Sequence, residues 1–136
     1  MIVLSNLTAV TIQPGQAVPF NKLIQKSGCG ECWNPQLPNS VKLRAHGGIY
    51  SLGFSGNVAA TTAGDALQLA IAVGGQPLVE TAMNSTPAAA NQFNNISTET
   101  RFAGCCADLD RVTVINTGTT PVTLEQNSAF VIDRRA

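Results

Sequence analysis

Charged side chains are scarce in this chain of 136 residues. Only 12% of its residues are Asp, Glu, Lys or Arg, against about a quarter in ordinary globular domains, and the formal net charge is +0. A neutral chain offers no basic surface that would attract nucleic acid or an anionic membrane. The same lack of charge leaves little repulsion between copies of the chain, which favours self-association.

Long apolar runs are also missing from the sequence. No stretch approaches the roughly 18 apolar residues that a membrane-spanning helix needs, so we expect no insertion into a membrane. Residues 1–7 are apolar but form a short run without a basic lead, which is unlike a signal peptide. We therefore expect no export by the general secretory route.

Histidine is the third scarcity, because His46 is the only one in the chain. It precedes Gly47 and Gly48 in a predicted turn. A Ser-His-Asp system would need this histidine held by a carboxylate and facing an exposed serine. Ser55 follows Gly53-Phe54 and precedes Gly56, which is not the G-x-S-x-G elbow of hydrolases. We therefore predict no catalytic residue and no enzymatic activity.

Short β segments are what the chain does contain, and residues 111–136 show them most clearly. β-branched and apolar residues predict strands over 112–115, 122–124 and 129–132, separated by Asn, Gly, Pro and Gln turns. A chain end is normally polar and frayed unless the fold ties it down. The apolar run at 129–132 therefore predicts a last strand that is buried inside a sheet and closes the fold.

The remainder of the chain follows the same pattern. Alternation and turn signals give about eight to ten short strands and no amphipathic helix of useful length, which is typical of a β-sandwich or barrel. We expect one domain over residues 1–136. Residues 21–39 are predicted to be irregular, residues 58–64 a loop, and residues 84–95 a loop with one helical turn at 87–90. The other predicted strand segments are 3–12, 17–20, 41–45, 49–54, 66–73, 77–82 and 96–102.

Two predicted strands carry one face of small side chains. In residues 66–73, Leu and Ile alternate with Ala66, Ala70 and Ala72, and Gly74-Gly75 then predicts a two-residue hairpin. Alanines at the outside of a sheet suit close approach of a second surface, such as a neighbouring subunit, or simple packing under a loop; both interpretations stay open. In residues 49–54, one face of the predicted strand carries the small residues Ser51 and Gly53. The other face carries three large side chains, Tyr50, Leu52 and Phe54.

Four cysteines form the main chemical question. Cys29 and Cys32 stand in a C-x-x-C, whereas Cys105 and Cys106 are adjacent. Adjacent cysteines rarely both point at one metal, and no βαβ pattern supports a thioredoxin-like role. Reduced thiols, a disulfide between the two loops and a metal site all remain open. We predict no metal and no cofactor; these four residues are the candidates if a metal binds.

Two other features have a simple and a functional interpretation. Asp108 and Asp110 could supply oxygen ligands to a calcium ion, but two carboxylates without further acidic neighbours are a weak signal for such a site. We expect them instead in the turn that leads into the following strand. Trp33 lies in a proline-rich loop, where it either joins the core or anchors a contact with a partner. The remaining aromatic residues are expected in the core.

Several sequence blocks are informative through their order along the chain. They are Pro19-Phe20-Asn21, residues 48–58, the alanine-rich strand with its Gly-Gly-Gln-Pro hairpin, residues 84–90, Gly104-Cys105-Cys106 and residues 112–124 with the hydrophobic last strand. In this order they resemble the tumour necrosis factor/complement-type jelly roll, over roughly residues 3–133. They are similar in particular to bacterial and phage versions of that family: the heads of collagen-like spore-surface proteins and small phage and prophage proteins.

This resemblance implies a compact homotrimer built from two packed sheets of four or five strands each. The chain ends would lie close together, and three copies would meet along an axis through one sheet edge and face. The chain lacks a collagen repeat ahead of the domain, which weakens a spore-surface role. Because folds of this kind host many functions, the function has to be argued from sites.

The leading hypothesis is a non-enzymatic phage virion structural protein. The homotrimeric module would decorate the capsid or form part of a head or tail fibre, after assembly in the cytoplasm of a bacterial host. Its partners would be copies of itself and other virion proteins, with surface glycans as a further partner. The alternative is a carbohydrate- or cell-surface-binding module that uses loops at one end of the trimer. A metal-dependent jelly-roll enzyme of cupin type would need several histidines, and the chain has one.

Overall fold

The computed structural model describes residues 1–27, 31–43, 48–103 and 111–135. Within these ranges the chain forms β-strands and one short 3₁₀ turn, Val79–Thr81, and no α-helix. No helix in this part of the chain is long and apolar enough to cross a membrane. The strands are β1 Ile2–Ser5, β2 Val10–Ile12, β3 Lys22–Lys26, β4 Glu31–Trp33, β5 Val41–Leu43, β6 Ile49–Ala60, β7 Leu67–Val73, β8 Gln76–Pro77, β9 Met83–Ser85, β10 Asn94–Ala103, β11 Arg111–Asn116, β12 Val122–Leu124 and β13 Ala129–Arg134.

These strands form two antiparallel sheets. The seven-stranded sheet has the order β2-β12-β6-β13-β1-β3, and β10 pairs with the other edge of β6. The six-stranded sheet has the order β4-β5-β11-β7-β8, and β9 also pairs with β7. Apolar side chains from both sheets form a single buried cluster between them. The predicted all-β jelly-roll sandwich is confirmed, although its sheets are larger than the expected four or five strands.

The closing strand lies where the sequence predicts it. β13 pairs with β6 on one side and with β1 on the other, so it lies inside the seven-stranded sheet. Phe130 and Ile132 point into the core and are 1% and 0% exposed. The pairing of Ile2 with Ile132 also brings the two ends of the described chain together.

β6 is longer than the sequence predicts. The sequence predicts a strand that ends at Phe54 and a loop over residues 58–64, whereas β6 continues to Ala60 in the structure. Its last residues are held on both edges, because Val58 pairs with Asn94 of β10 and with Leu124 of β12. The predicted loop was therefore wrong for residues 58–60, which pair with distant strands, and right for residues 61–64, which form bends and a turn.

Short strands account for the other differences. Residues 21–39 contain β3 and β4, and residues 84–95 contain the end of β9 and the start of β10. The predicted helical turn at 87–90 is absent: the chain there forms bends and a turn. The expected strand at 17–20 is reduced to one bridge between Ala17 and Ile115. Strands this short have too little sequence for periodicity to show, and partner strands specify them.

Three phenylalanines form the centre of the core. Phe54 and Phe130 are directly opposite each other on β6 and β13. Phe20 stacks on Phe130 at a ring-centroid distance of 5.3 Å and meets Phe54 edge-on at 6.3 Å. Offset and edge-to-face pairs of this kind add about 0.5–1.5 kcal/mol each beyond their buried area. They tie the connection after β2 to the middle of the seven-stranded sheet.

The predicted hairpin after β7 is confirmed. Val73 pairs with Gln76, and the two loop residues Gly74 and Gly75 have φ angles of 60° and 84°. Both angles lie in the left-handed region, which glycine adopts without a steric penalty. The hairpin therefore depends on the residue type at both positions.

The alanine face of β7 is closed within a single chain. Ala70 and Ala72 are 2% and 0% exposed, so they are not available to a neighbouring subunit. Ala70 is opposite Ile115, and Ala72 is opposite Thr113 and Pro77, so longer side chains flank both alanines on the same face. Of the two interpretations left open by the sequence, packing within the chain is the one that the structure supports.

Candidate interaction surfaces

A groove runs along the outer face of the seven-stranded sheet. Its volume is about 600 Å³, and its floor is formed by β6, with β13 and β10 as walls. Ser51, Gly53 and Ser55 form the floor, which is the small-residue face of β6 that the sequence shows. The opposite face of the same strand carries the buried Tyr50, Leu52 and Phe54. The groove therefore follows from strict alternation along one strand.

Gly53 lies in the floor of the groove and has no side chain to fill it. It pairs with Val131 on β13 and with Glu99 on β10, so larger side chains stand on both sides of it. A Cβ atom added at Gly53 would meet only the carbonyl oxygen of Thr98, at 3.7 Å, which is an ordinary contact. The absence of a side chain here is not required by packing within the chain, and it leaves room for a second surface.

Charged groups stand at one part of the groove rim. Arg135 lies 3.7 Å from the carboxylate of Asp133, and both line the groove together with Glu99. These side chains are partly or fully exposed, so their ion pair contributes little to the stability of the chain. The groove thus combines an uncharged floor with a polar rim, and charged residues are depleted in the same way at the centre of protein–protein interfaces.

Apolar side chains are exposed at the β10 edge of the sandwich. Phe93, immediately before β10, is 42% exposed, and Val79 in the 3₁₀ turn is 85% exposed. The 3₁₀ turn and β9 both contact β10, so these side chains lie at the same edge. The groove is a recess on the outer face of the seven-stranded sheet, whereas the exposed apolar side chains lie at the β10 edge of the sandwich.

A second, smaller recess of about 280 Å³ lies beside β2 and β4. Trp33, Pro35 and Pro38 line it together with the polar side chains of Thr8 and Asn21. The Trp33 indole is half-buried and packs against the core, and its Nε1 donates to the carbonyl oxygen of Pro38 at 3.5 Å. Trp33 therefore contacts the core and also lines an open recess, and its role as an anchor for a partner stays a prediction.

Most of the chemical candidates from the sequence lie outside the described residues. This applies to Cys29, His46, Cys105 and Cys106, and to Asp108 and Asp110. Of the four cysteines only Cys32 falls in a described element, as the middle residue of β4. Among the residues that the structure describes, no group of three or more His, Cys, Asp or Glu side chains could hold a metal ion. The structure does not test the thiol, disulfide and metal alternatives.

Comparison with known proteins identifies the fold. The structure of murine APRIL at pH 8.0 has a TM-score of 0.65 and 13% identity, over 99% of this chain and 97% of that one. The globular domain of zebrafish complement 1qA has a TM-score of 0.58 and 11% identity, over 98% of each chain. The chain has a tumour necrosis factor/complement-type jelly-roll fold.

More distant likenesses carry no functional argument. The vertex protein P5 of PRD1 covers 93% of this chain and 96% of its own, but with a TM-score of only 0.47 and 11% identity. No protein-family model and no curated protein sequence matches the chain. At identities this low the structural neighbours show the fold alone, and the surfaces of the chain have to carry the functional argument.

Proposed function

We propose that this protein is a non-enzymatic structural module that works by assembling into a homotrimer on a phage virion. There it decorates the capsid or forms part of a head or tail fibre. The groove over Ser51, Gly53 and Ser55 carries the assembly part of this proposal. The virion part is supported by the resemblance of the sequence blocks to small phage and prophage proteins.

The groove and the β10 edge suggest how copies of the chain meet. In the proposed trimer the β10 edge of one copy, with Phe93 and Val79, lies against the groove of the next copy. Such a contact is heterologous, and the resemblance of the sequence blocks to trimeric jelly rolls supports its closure into a ring of three. Burial of the two exposed apolar side chains provides the driving force, and the neutral chain adds little opposing repulsion.

The mass of the assembly in solution tests this arrangement. Light scattering coupled to size-exclusion chromatography should give three times the 14.2 kDa mass of one chain. Gly53→Arg should give a folded monomer, because a Cβ atom at this position has no close neighbour and the rest of the long side chain would occupy the groove. Thr62→Arg, at an exposed loop position away from the groove, is the matched control and should remain trimeric.

Three results would contradict the proposal. A monomeric wild-type chain would reject the trimer, and a trimeric Gly53→Arg variant would reject the groove as its contact surface. If Gly53→Arg fails to give the circular dichroism spectrum of the wild type, Ser55→Arg on the same floor replaces it. A Thr62→Arg variant that dissociates would show that any added positive charge, rather than the groove, explains the effect.

The virion location needs a separate experiment. Mass spectrometry of purified phage particles, with gold-labelled antibody on intact particles, should detect the protein at defined positions on the surface. Capsid, portal or tail genes beside its gene would agree with this placement. Particles that lack the protein, alongside abundant free trimer in the lysate, would reject the virion role and leave the assembly intact.

A second candidate function is a carbohydrate- or cell-surface-binding module. The recess beside Trp33 favours it, because an indole at an open recess with uncharged polar neighbours is suited to binding a small neutral ligand. A glycan array probed with the labelled wild-type protein tests this candidate. Uniformly flat binding would reject it without affecting the trimer.

A further inference from the structure

We propose that the recess beside Trp33 binds a single neutral sugar ring, which stacks on the indole and receives hydrogen bonds from Thr8 and Asn21. This inference rests on the second candidate function and names its site and ligand class. The recess shares no lining residue with the groove, so ligand binding and trimer assembly are separable.

The indole is held in place before any ligand arrives. Its Nε1 donates to the Pro38 carbonyl oxygen, and the ring packs against the core as a partly buried side chain. Pro35 and Pro38 flank it in a segment whose φ angles are restricted by the proline rings. A fixed aromatic surface loses little conformational entropy on binding, and the C–H groups of a sugar ring suit it.

Two polar side chains in the recess have hydrogen-bonding capacity to offer. Asn21 accepts from the Leu7 backbone N–H at 2.7 Å through Oδ1, which orients its amide. Within the described residues its Nδ2 has no protein acceptor, and the exposed hydroxyl of Thr8 has no side-chain partner. Asn6 differs, because its Nδ2 donates to the carbonyl oxygens of Thr8 and Glu125 and its Oδ1 accepts from Ser128. Asn21 and Thr8 are therefore the groups for ligand hydroxyls.

Charge and size define the ligand class. None of the residues that line the recess is charged, so an anionic sugar or a phosphorylated group would lose its hydration without gaining a counter-charge. The volume of about 280 Å³ suits one ring and is small for the extended helix of a proline-rich peptide. A ligand this small is expected to bind with a Kd on the order of 1 mM.

Tryptophan fluorescence provides a direct test, because Trp33 is the only tryptophan in the chain. Titration of the wild-type trimer with methyl glucoside, methyl galactoside and N-acetylglucosamine should give a saturable fluorescence change with at least one of them. Thr8→Val should weaken that binding by about threefold to tenfold, the usual worth of one hydrogen bond. Thr11→Val, at an exposed position on β2 outside the recess, should leave the affinity unchanged.

Calorimetry completes the test and separates the possible failures. Trp33→Ala, folded by circular dichroism, should show no heat of binding with the sugar that the wild type binds. Calorimetric binding that leaves Trp33 fluorescence unchanged would overturn this site while the binding function stands. No binding of any of the three sugars, or binding of a proline-rich peptide in their place, would overturn the sugar class.

Discussion

Asn116 shows how one polar side chain can organise the end of a strand. It is 1% exposed at the end of β11. Its Nδ2 donates to the carbonyl oxygens of Ile12 and Thr120, both at 3.0 Å, and its Oδ1 accepts from the Gly118 N–H at 2.9 Å. The side chain therefore joins the turn after β11 to the end of β2, and its burial is compensated by three hydrogen bonds.

Asn116→Ala should lower the free energy of unfolding by about 2–4 kcal/mol, because three backbone groups lose their buried partner. Urea denaturation followed by circular dichroism measures this change. Asn84→Ala is the matched control: Asn84 is exposed and accepts one hydrogen bond from Gln68. It should change the free energy of unfolding by no more than about 0.5 kcal/mol. Equal effects of the two variants would contradict the role given to Asn116.

Two glycines of β6 have opposite environments although they are three residues apart. A Cβ atom at Gly56 would lie 2.9 Å from Cδ1 of Leu124 and 3.2 Å from Cβ of Ser128. A Cβ atom at Gly53 would have only one neighbour within 4 Å. Gly56 is therefore required by close packing inside the chain, and Gly53 is not.

The two glycines should respond differently to the same substitution. Gly56→Ala should cost about 1–3 kcal/mol through overpacking, seen as a lower midpoint of urea denaturation. Gly53→Ala should leave the midpoint unchanged or slightly raised, because alanine reduces the freedom of the unfolded chain. A large loss at Gly53 would mean that the groove floor is packed more tightly than the structure shows.

At the scale of elements, the fold depends on β13. This strand joins β6 to β1, so the seven-stranded sheet is continuous only when it is present. It also supplies Phe130 to the aromatic centre and Val131 to the groove wall. β13 therefore contributes to the core, to the continuity of the sheet and to the proposed interface.

Deletion of residues 130–136 should abolish soluble trimer. The truncation removes the buried Phe130 and Ile132 and exposes the edges of β1 and β6, which invites aggregation. Expression, solubility and light scattering measure the result. Removal of Ala136 alone, which keeps all of β13 and the groove residue Arg135, is the control and should leave a trimer. A normal trimer after the larger deletion would show that β13 does not close the fold.

At the scale of the whole molecule, the low charge determines which forces can hold the proposed trimer together. The formal net charge is +0, and the groove floor carries no charged side chain. The charges at the groove rim are exposed, where screening by salt makes their contribution small. The proposed trimer should therefore be held by packing of apolar and small side chains.

The dissociation constant of the trimer should change by less than about threefold between low and high salt, since only rim charges are screened. Sedimentation velocity over a range of sodium chloride concentrations measures it. Phe93→Ser, which removes an exposed apolar side chain at the β10 edge, should weaken association at every salt concentration. A steep loss of trimer with added salt would indicate an electrostatic interface and contradict this view.

The sequence by itself was sufficient for the fold class and for several individual elements. Alternation predicted the two faces of β6 and the three closing strands, and Gly74-Gly75 predicted the hairpin. These features are local: they follow from a period of two residues and from the φ angles that glycine permits. Strand pairing over long distances is not local. The extension of β6 to Ala60 and the reduction of the predicted strand 77–82 to the two-residue β8 and a 3₁₀ turn could therefore not be seen.

Tertiary structure decided which small-residue face is open. The sequence presents small residues on β7 and on β6 in the same way. Flanking side chains on β11 and β8 close the alanine face of β7, whereas the face of β6 that carries Gly53 remains a groove between β13 and β10. Which side chains stand beside a strand depends on its partners and on its register with them, and both are settled only when distant parts of the chain come together.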